Sequence, residues 1–132
     1  MSLTILKKPF FLKTLSLCLL VTLMCLPDLE AKPRDQERWN KKYNTETFIF
    51  GKEPVPFLKQ NLHLLPKGRA LDIAMGEGRN GVYLATRGYE VIGLDISPKG
   101  LAKAHLLAKQ NQVTIETQVV DLENYQLKEN AY

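Results

Sequence analysis

The fold of this chain is decided by the stretch Arg69-Ala-Leu-Asp-Ile-Ala-Met-Gly-Glu-Gly-Arg-Asn-Gly-Val-Tyr-Leu-Ala85. A short apolar run that carries one acid, Asp72, opens into a glycine-rich turn, and the turn runs directly into an amphipathic pattern. This order predicts a strand, a ligand-cradling loop and a helix. Gly76 and Gly78 allow the backbone to approach a ligand closely, because they have no Cβ.

The glycine-rich loop allows two interpretations, and the acid Asp72 helps to distinguish between them. The run Gly76-Glu-Gly-Arg-Asn-Gly81 is a literal G-x-G-x-x-G, and Asp95 follows about 20 residues on, as the fingerprint of NAD-type dinucleotide-binding domains requires. Strands of that type are usually apolar up to the first glycine. This strand instead carries a carboxylate, which is costly to bury unless loop N–H groups or a ligand pair with it.

Counted from Asp72, the same segment resembles motif I of the class I S-adenosylmethionine (SAM)-dependent methyltransferases, D/E-x-G-x-G-x-G. Gly76 and Gly78 match two of the three glycines, and Ala74 stands where the family has the first. Alanine is the smallest step up from glycine, so the loop has less freedom but the site stays open. The resemblance implies that the methionine part of SAM lies against Asp72, Ala74, Gly76 and Gly78.

Two further predicted strands also end in an acid. They are Glu90-Val-Ile-Gly-Leu-Asp95 and Val113-Thr-Ile-Glu-Thr-Gln-Val-Val-Asp121, and their acids follow the preceding acid by 23 and 26 residues. In the methyltransferase family, the second acid holds the ribose hydroxyls of SAM and the third lies near the adenine amino group. The resemblance therefore assigns the ribose to Asp95 and Ile96, and the adenine to Asp121 and Leu122.

The resemblance covers roughly residues 36–130. The run Trp39-Asn-Lys-Lys-Tyr43 looks like the W-x-x-x-Y opening of small-molecule methyltransferases, and Asp-x-Ala-x-Gly-Glu-Gly-Arg-Asn is similar to their tellurite-resistance and thiopurine type. It implies SAM as the cofactor and a small-molecule methyl acceptor, with no catalytic residue named. Trp39 and Tyr43 lie one helical turn apart, so they either pack over the core or form a lid. Arg79 and Asn80 either touch the ligand or solvate the first helical turn.

Hydrophobic periodicity predicts an α/β fold with a partial, Rossmann-like parallel sheet and flanking helices. Alternating strands and helices imply right-handed crossovers, a strand order of 3-2-1 and a site at the carboxyl ends of the strands. Ser97 and Pro98 are predicted to be the N-cap and the first residue of a helix. Strands are expected at 69–74, 90–95 and 114–120, and helices at 34–44, 54–64, 78–87 and 98–111.

Residues 1–31 are predicted to form a separate segment ahead of a partial SAM-binding domain, residues 32–132. Three lysines precede an uncharged apolar block of 13 residues, 14–26, which Pro27 ends. This layout is that of a signal peptide, and the block is shorter than the ~20 apolar residues that cross a bilayer. The alternative is an uncleaved anchor, with membrane association through residues 10–26. If the segment functions, the chain is exported or membrane-associated; otherwise it is cytoplasmic, where SAM is made.

Composition excludes several classes of function. Cys18 and Cys25 both lie in the apolar block, so residues 32–132 contain no disulfide framework and no thiolate metal site. His63 and His105 lack partners at metal-ligand spacing, so no metal is expected. A net charge of +4 with scattered basic residues gives no case for nucleic acid.

Three functions stay open from the sequence. The first is a SAM-dependent methyltransferase, of which this chain is the cofactor-binding half. The second is an inactive truncated remnant or an interaction module, because family members continue past residue 132 into a fourth strand beside the first. The third is an NAD-type dinucleotide-binding domain, which the literal G-x-G-x-x-G supports.

Overall fold

The structure of the protein is a computed structural model, and it describes residues 34–127. The predicted N-terminal segment, residues 1–31, lies outside the described residues and stays a prediction. Within residues 34–127, no helix has both the length and the apolar character that crossing a membrane requires.

Helices and strands alternate in the predicted order. The helices are α1 (Arg34–Tyr43), α2 (Pro56–Asn61), α3 (Arg79–Thr86) and α4 (Pro98–Gln110), with a 3-10 helix at Leu62–Leu64, and the strands are β1 (Arg69–Ile73), β2 (Glu90–Asp95) and β3 (Glu116–Val119). The predicted helix 54–64 begins later, because the residue before Pro56, Val55, is held in an extended conformation. It also breaks into the short α2 and the 3-10 helix.

The three strands form a parallel sheet in the order β1-β2-β3, which confirms the predicted 3-2-1 order. Arg69 lies opposite Glu90, and Ile92 lies opposite Glu116, so the three carboxyl ends meet at one edge of the sheet. β3 is shorter than the predicted 114–120, since only Glu116–Val119 pair with β2. The register brings the ends of all three acid-terminated segments to the same side of the domain.

The hydrophobic core lies between the sheet and the helices α3 and α4. α3 packs on β1 and β2, while α4 packs on β2, β3 and α3. Leu94 of β2 and Val82 of α3 are almost completely buried. α4 begins as predicted, because the Ser97 hydroxyl accepts a hydrogen bond from the Gly100 N–H and Pro98 occupies the first turn. This packing fixes the β2–α4 turn beside the loop that follows β1.

Candidate functional site

The loop after β1 has a left-handed backbone at alternate residues. The φ angles of Ala74, Gly76 and Gly78 are 56°, 57° and 85°. These are the three positions that motif I of the methyltransferases fills with glycine, and the reason is steric, because a Cβ is disfavoured at positive φ. Ala74 therefore occupies a conformation that costs an L-residue roughly 1–2 kcal/mol.

Asp95, at the end of β2, holds this loop in place. Its side chain is 6% exposed, and its Oδ2 accepts a hydrogen bond from the Gly76 N–H at 2.7 Å. Its Oδ1 accepts one from the Ser97 N–H at 2.8 Å. Each carboxylate oxygen retains a second lone pair that can accept another hydrogen bond. Asp95 thus fixes both turns and still presents acceptors to a ligand.

Asp72 lies close to the end of β1 with one oxygen unsatisfied. Its Oδ2 is buried and has no hydrogen-bond partner among residues 34–127. Burial raises the pKa of the Asp72 carboxyl to about 6. A hydrogen bond from the Gly81 backbone lowers this pKa, and the negative charge of Asp95 raises it. A methyl group at Gly81 would lie 2.3 Å from Met75 Cε and 2.8 Å from Asp72 Oδ2, so glycine there leaves room for both side chains.

A cleft of about 470 Å³ opens at the carboxyl ends of the strands. This volume is within the range of small-molecule and cofactor sites. The structure brings seven of the eight predicted cofactor-binding residues to its wall: Asp72, Ala74, Gly76, Asp95, Ile96, Asp121 and Leu122. Their contact with a cofactor stays a prediction.

Gly78 is the eighth predicted residue, and it is not among those that line the cleft. It is the N-cap of α3, and a methyl group added there would lie 2.6 Å from Ala104 Cβ and 2.9 Å from Ala104 Cα. Gly78 therefore permits the start of α3 to approach α4 closely. That packing role follows from geometry that the glycine pattern alone does not reveal.

One face of α1 forms a wall of the cleft. Asp35, Trp39 and Tyr43 follow one another at intervals of four residues, and all three line it. The rings of Trp39 and Tyr43 stack with their centroids 5.5 Å apart, and Phe50 meets Tyr43 edge-on at 6.3 Å. Tyr43 is also buried, at 5% exposure. Tyr43 therefore packs into the core, and a role of Trp39 and Tyr43 as a lid over a ligand stays a prediction.

A second face of α1 docks the helix on the β2–α4 turn. The Gln36 side-chain amide donates to the Ile96 carbonyl at 3.0 Å. Asn40 Oδ1 accepts from the Ser97 hydroxyl at 2.6 Å and from the Lys99 N–H at 3.3 Å. These contacts place the aromatic face of α1 over the cleft.

Tyr43 brings its hydroxyl to the glycine-rich loop. A methyl group at Gly76 would lie 2.6 Å from Tyr43 Oη. Burial raises the pKa of Tyr43 to about 12, and the negative charges of Asp95 and Glu77 add to the rise. The phenol therefore stays protonated near neutral pH, where it can donate a hydrogen bond but not act as a base.

Sequence reasoning missed a buried ion pair behind the loop. Glu77 Oε1 lies 2.6 Å from Lys103 Nζ, and both side chains are nearly inaccessible to solvent. The signal was present in α4, where Lys103 falls among Gly100, Leu101, Ala104 and Leu107 on the buried face. A lysine among core positions at helical spacing indicates a buried partner.

Arg79 and Asn80 bind the chain that leads into α2 instead of only solvating α3. Arg79 Nη1 donates to the Phe50 carbonyl at 3.0 Å, and Asn80 Oδ1 accepts from the Val55 N–H at 3.0 Å. Both also line the cleft. In the part of the chain that the structure describes, no group of three His, Cys, Asp or Glu residues is placed to hold a metal ion.

Comparison with known proteins agrees with this geometry. Residues 70–132 match a family model described as a methyltransferase domain. An uncharacterized methyltransferase of Synechocystis sp. is 43% identical over 51 residues, which are 39% of this chain and 24% of that protein. The probable S-adenosyl-L-methionine-dependent methyltransferase TehB of Haemophilus influenzae is 29% identical over 97 residues, which are 74% of this chain and 32% of that protein. The chain thus spans a quarter to a third of the length of these curated relatives.

Solved structures share the fold. The tRNA (uracil-54, C5)-methyltransferase of Pyrococcus abyssi, solved with S-adenosyl-L-homocysteine, matches with a TM-score of 0.51 and 28% identity over 56% of this chain and 19% of that chain. A structure solved for the conversion of a disulfide bond into a thioacetal group during echinomycin biosynthesis matches with a TM-score of 0.56 and 28% identity, over 67% and 40%.

The fold and these matches show that the chain is similar to the class I SAM-dependent methyltransferases. The resemblance that motif I and the acid-terminated strands predicted is therefore confirmed. Within that class the chain is similar to TehB, in agreement with the tellurite-resistance type of its loop sequence.

Proposed function

We propose that this chain binds SAM in the cleft at the strand ends and contributes the cofactor half of a methyltransferase for a small-molecule acceptor. The observation that carries the proposal is the charge of the cleft. Its wall holds Glu77, which pairs with Lys103, Asp35, which pairs with Arg38 at 3.1 Å, and four further carboxylates: Asp72, Asp95, Asp121 and Glu123. Among residues 34–127, Arg79 is the one cation that lines the cleft, and it donates to the Phe50 carbonyl. Such a wall favours a cationic ligand, and SAM carries a sulfonium and an ammonium group.

The residues present fit that ligand. The unsatisfied, buried Oδ2 of Asp72 is suited to the ammonium group, because pairing would compensate its desolvation. Gly76 has no Cβ, so Tyr43 Oη can approach the loop closely and offer a hydrogen-bond donor to the methionine part. The free lone pairs of Asp95 can accept from ribose hydroxyls. Asp121 and Leu122, at the end of the third segment, would border the adenine.

A dinucleotide fits the same cleft less well. A pyrophosphate is normally held by loop and helix N–H groups, but the Gly76 N–H already donates to Asp95. The carboxylates of the cleft wall would also repel the negatively charged pyrophosphate of a dinucleotide. The N–H groups of both Gly76 and Gly78 are thus engaged within the protein, the second by the Met75 carbonyl at 3.0 Å.

The chemistry divides between cofactor and protein. SAM supplies a methyl group on a positively charged sulfur, which is a good leaving group. The contribution of this chain is to bind and orient, because proximity lowers the barrier for transfer between two held groups. Asp72 would hold the ammonium group of SAM and Asp95 its ribose, on the two sides of the sulfonium. The Trp39 and Tyr43 rings would shield the sulfonium from water.

Calorimetric titration of the full chain with SAM, S-adenosylhomocysteine and NAD tests the proposal. We expect SAM to bind more tightly than neutral-sulfur S-adenosylhomocysteine, and NAD not to bind. Asp72→Asn should abolish most SAM binding, since it removes a charge while the amide oxygen can still accept a hydrogen bond from the Gly81 backbone. Glu90→Gln, the same kind of change at the opposite end of the sheet, should have no effect. A folded chain that prefers NAD, or that binds none of the three, contradicts the proposal and favours the dinucleotide or the remnant interpretation respectively.

A further inference from the structure

Glu77 is almost completely buried, at 3% exposure, yet it carries a carboxylate. Its Oε1 accepts from the Ile49 N–H and its Oε2 from the Phe50 N–H, both at 3.1 Å. The ammonium group of Lys103 completes its shell at 2.6 Å. The carboxylate is therefore bound by three donors, two of which belong to the chain between α1 and α2.

Lys103 makes a matching set of contacts from the other side. Besides Glu77, its Nζ donates to Thr45 Oγ1 at 3.2 Å and to the Thr47 carbonyl. An ammonium group has three N–H donors, so all of them are engaged. The two buried charges thus form a complete network in which every partner outside the pair lies within residues 44–51, which we call the strap.

The strap carries part of the cleft wall. Phe50 and Gly51 line the cleft, and Phe50 packs edge-on against Tyr43. The Phe50 backbone is gripped on both sides, because its N–H donates to Glu77 while its carbonyl accepts from Arg79. Glu77 itself lies between Gly76 and Gly78 in the loop that forms the floor of the cleft. Glu77 therefore connects this loop directly to the segment that carries Phe50 and Gly51 of the cleft wall.

We propose that Glu77 is a positioning residue, which fastens the strap to the glycine-rich loop through the Lys103 pair and so sets the aromatic wall against the ligand. The inference rests on the proposed function for the identity of that ligand. A stabilising role alone explains the pair poorly, because a buried ion pair generally adds little stability compared with apolar side chains of the same size. All hydrogen-bond partners of the Glu77–Lys103 pair lie on the strap, which is the arrangement that positioning requires.

The test compares variants of the full 132-residue chain. Glu77→Gln keeps the size of the side chain. It removes the charge that pairs with Lys103, and it replaces one of the two oxygens that accept from the strap N–H groups. Thr45→Val removes a Lys103 contact at the exposed surface and leaves the buried pair intact. Glu46→Gln, an exposed residue of the same strap, is the matched control. Hydrogen exchange at the Ile49 and Phe50 amides, acrylamide quenching of the single tryptophan, Trp39, and calorimetry with SAM are measured for each.

We expect Glu77→Gln to lose protection at both amides, to expose Trp39 to quenching, and to bind SAM about tenfold more weakly, the size of one lost hydrogen bond to a charged group. Thr45→Val should show the same changes to a smaller extent, and Glu46→Gln none of them. Unchanged exchange at Ile49 and Phe50, or unchanged SAM affinity in a folded Glu77→Gln chain, overturns the inference.

A double variant keeps the test decisive if Glu77→Gln unfolds the chain. Glu77→Gln with Lys103→Met removes both buried charges, so the unfolding midpoint should recover. The amide protection and the SAM affinity should not recover, because the strap has still lost its fastening. Recovery of affinity together with stability shows a purely structural role. If the wild-type chain binds no SAM, the proposed function fails, and the exchange and quenching data decide the fastening by themselves.

Discussion

The carboxylate of Asp95 accepts a hydrogen bond from the Gly76 N–H at 2.7 Å, although the two residues lie 19 positions apart in the chain. The bond joins the end of β2 to the loop after β1. Because the other oxygen of Asp95 holds the Ser97 N–H, one side chain sets both turns that border the cleft. The acid at this position is therefore part of the framework as well as a candidate ribose ligand.

Asp95→Asn should lower the free energy of unfolding by about 1–3 kcal/mol, since the amide nitrogen would face one of the two N–H donors and leave it unsatisfied. Urea unfolding measures the change. Asp121→Asn is the control, because the Asp121 carboxylate accepts a local hydrogen bond from the Glu123 N–H at the surface. A loss of equal size in the control would contradict the framework role.

Gly78→Ala should be far more destabilising than Gly88→Ala. The two glycines have nearly the same φ, 85° and 84°, so the backbone strain of an added Cβ is matched. At Gly88 the Cβ meets nothing within 4 Å among the described residues, whereas at Gly78 it meets Ala104 at 2.6 Å. We expect the difference in unfolding free energy to be about 1–3 kcal/mol. Equal losses would show that α3 and α4 can separate at no cost.

Ala74→Gly should stabilise the chain by about 1 kcal/mol, because glycine removes the cost of a Cβ at a φ of 56°. Thermal and urea unfolding both report it. Ala102→Gly, an exposed position inside α4, should instead destabilise by a similar amount, since glycine is unfavourable within a helix. A loss of stability at position 74 would mean that the alanine methyl group makes contacts that outweigh its strain.

Asp72→Asn should stabilise the ligand-free chain more at high pH than at low pH. The pKa of Asp72 in the folded chain is about 6, above the ordinary 3.8, so folding favours the neutral carboxyl. The contribution of Asp72 to the free energy of unfolding is therefore complete below the unfolded pKa of 3.8. It is lost as the pH rises through the folded pKa of about 6. The gain of the variant near pH 8 should exceed that near pH 4 by about 1–2 kcal/mol. Urea midpoints of both chains at both pH values decide it, and a pH-independent gain would contradict the burial of this charge.

Much of the fold follows from local sequence. The acids at 72, 95 and 121 end segments with strand character, and parallel pairing then brings their ends to one edge. The same logic brings most of the predicted residues to the cleft. It does not reveal that Gly78 permits the close packing of α3 on α4, because a glycine needed for ligand approach and a glycine needed for helix packing look identical in a sequence.

The parts that were missed depend on contacts between distant segments. Lys103 stands out as a charge on a buried helical face, but nothing local identifies its partners, which lie 26 and more positions earlier in the chain. Asn80 binds the Val55 N–H for a similar reason, because the free donors of an irregular segment must be satisfied by whatever packs against it. Such pairings are properties of the assembled domain.

The residues of α1 that dock the helix and those that line the cleft must keep a fixed spacing along the helix. Gln36 and Asn40 point one way to the β2–α4 turn, while Trp39 and Tyr43 point another way to the cleft. One inserted residue between Asn40 and Tyr43 would rotate the latter by about 100° about the helix axis. Relatives that keep this cleft should therefore vary in the residues of the helix while avoiding insertions and deletions within it.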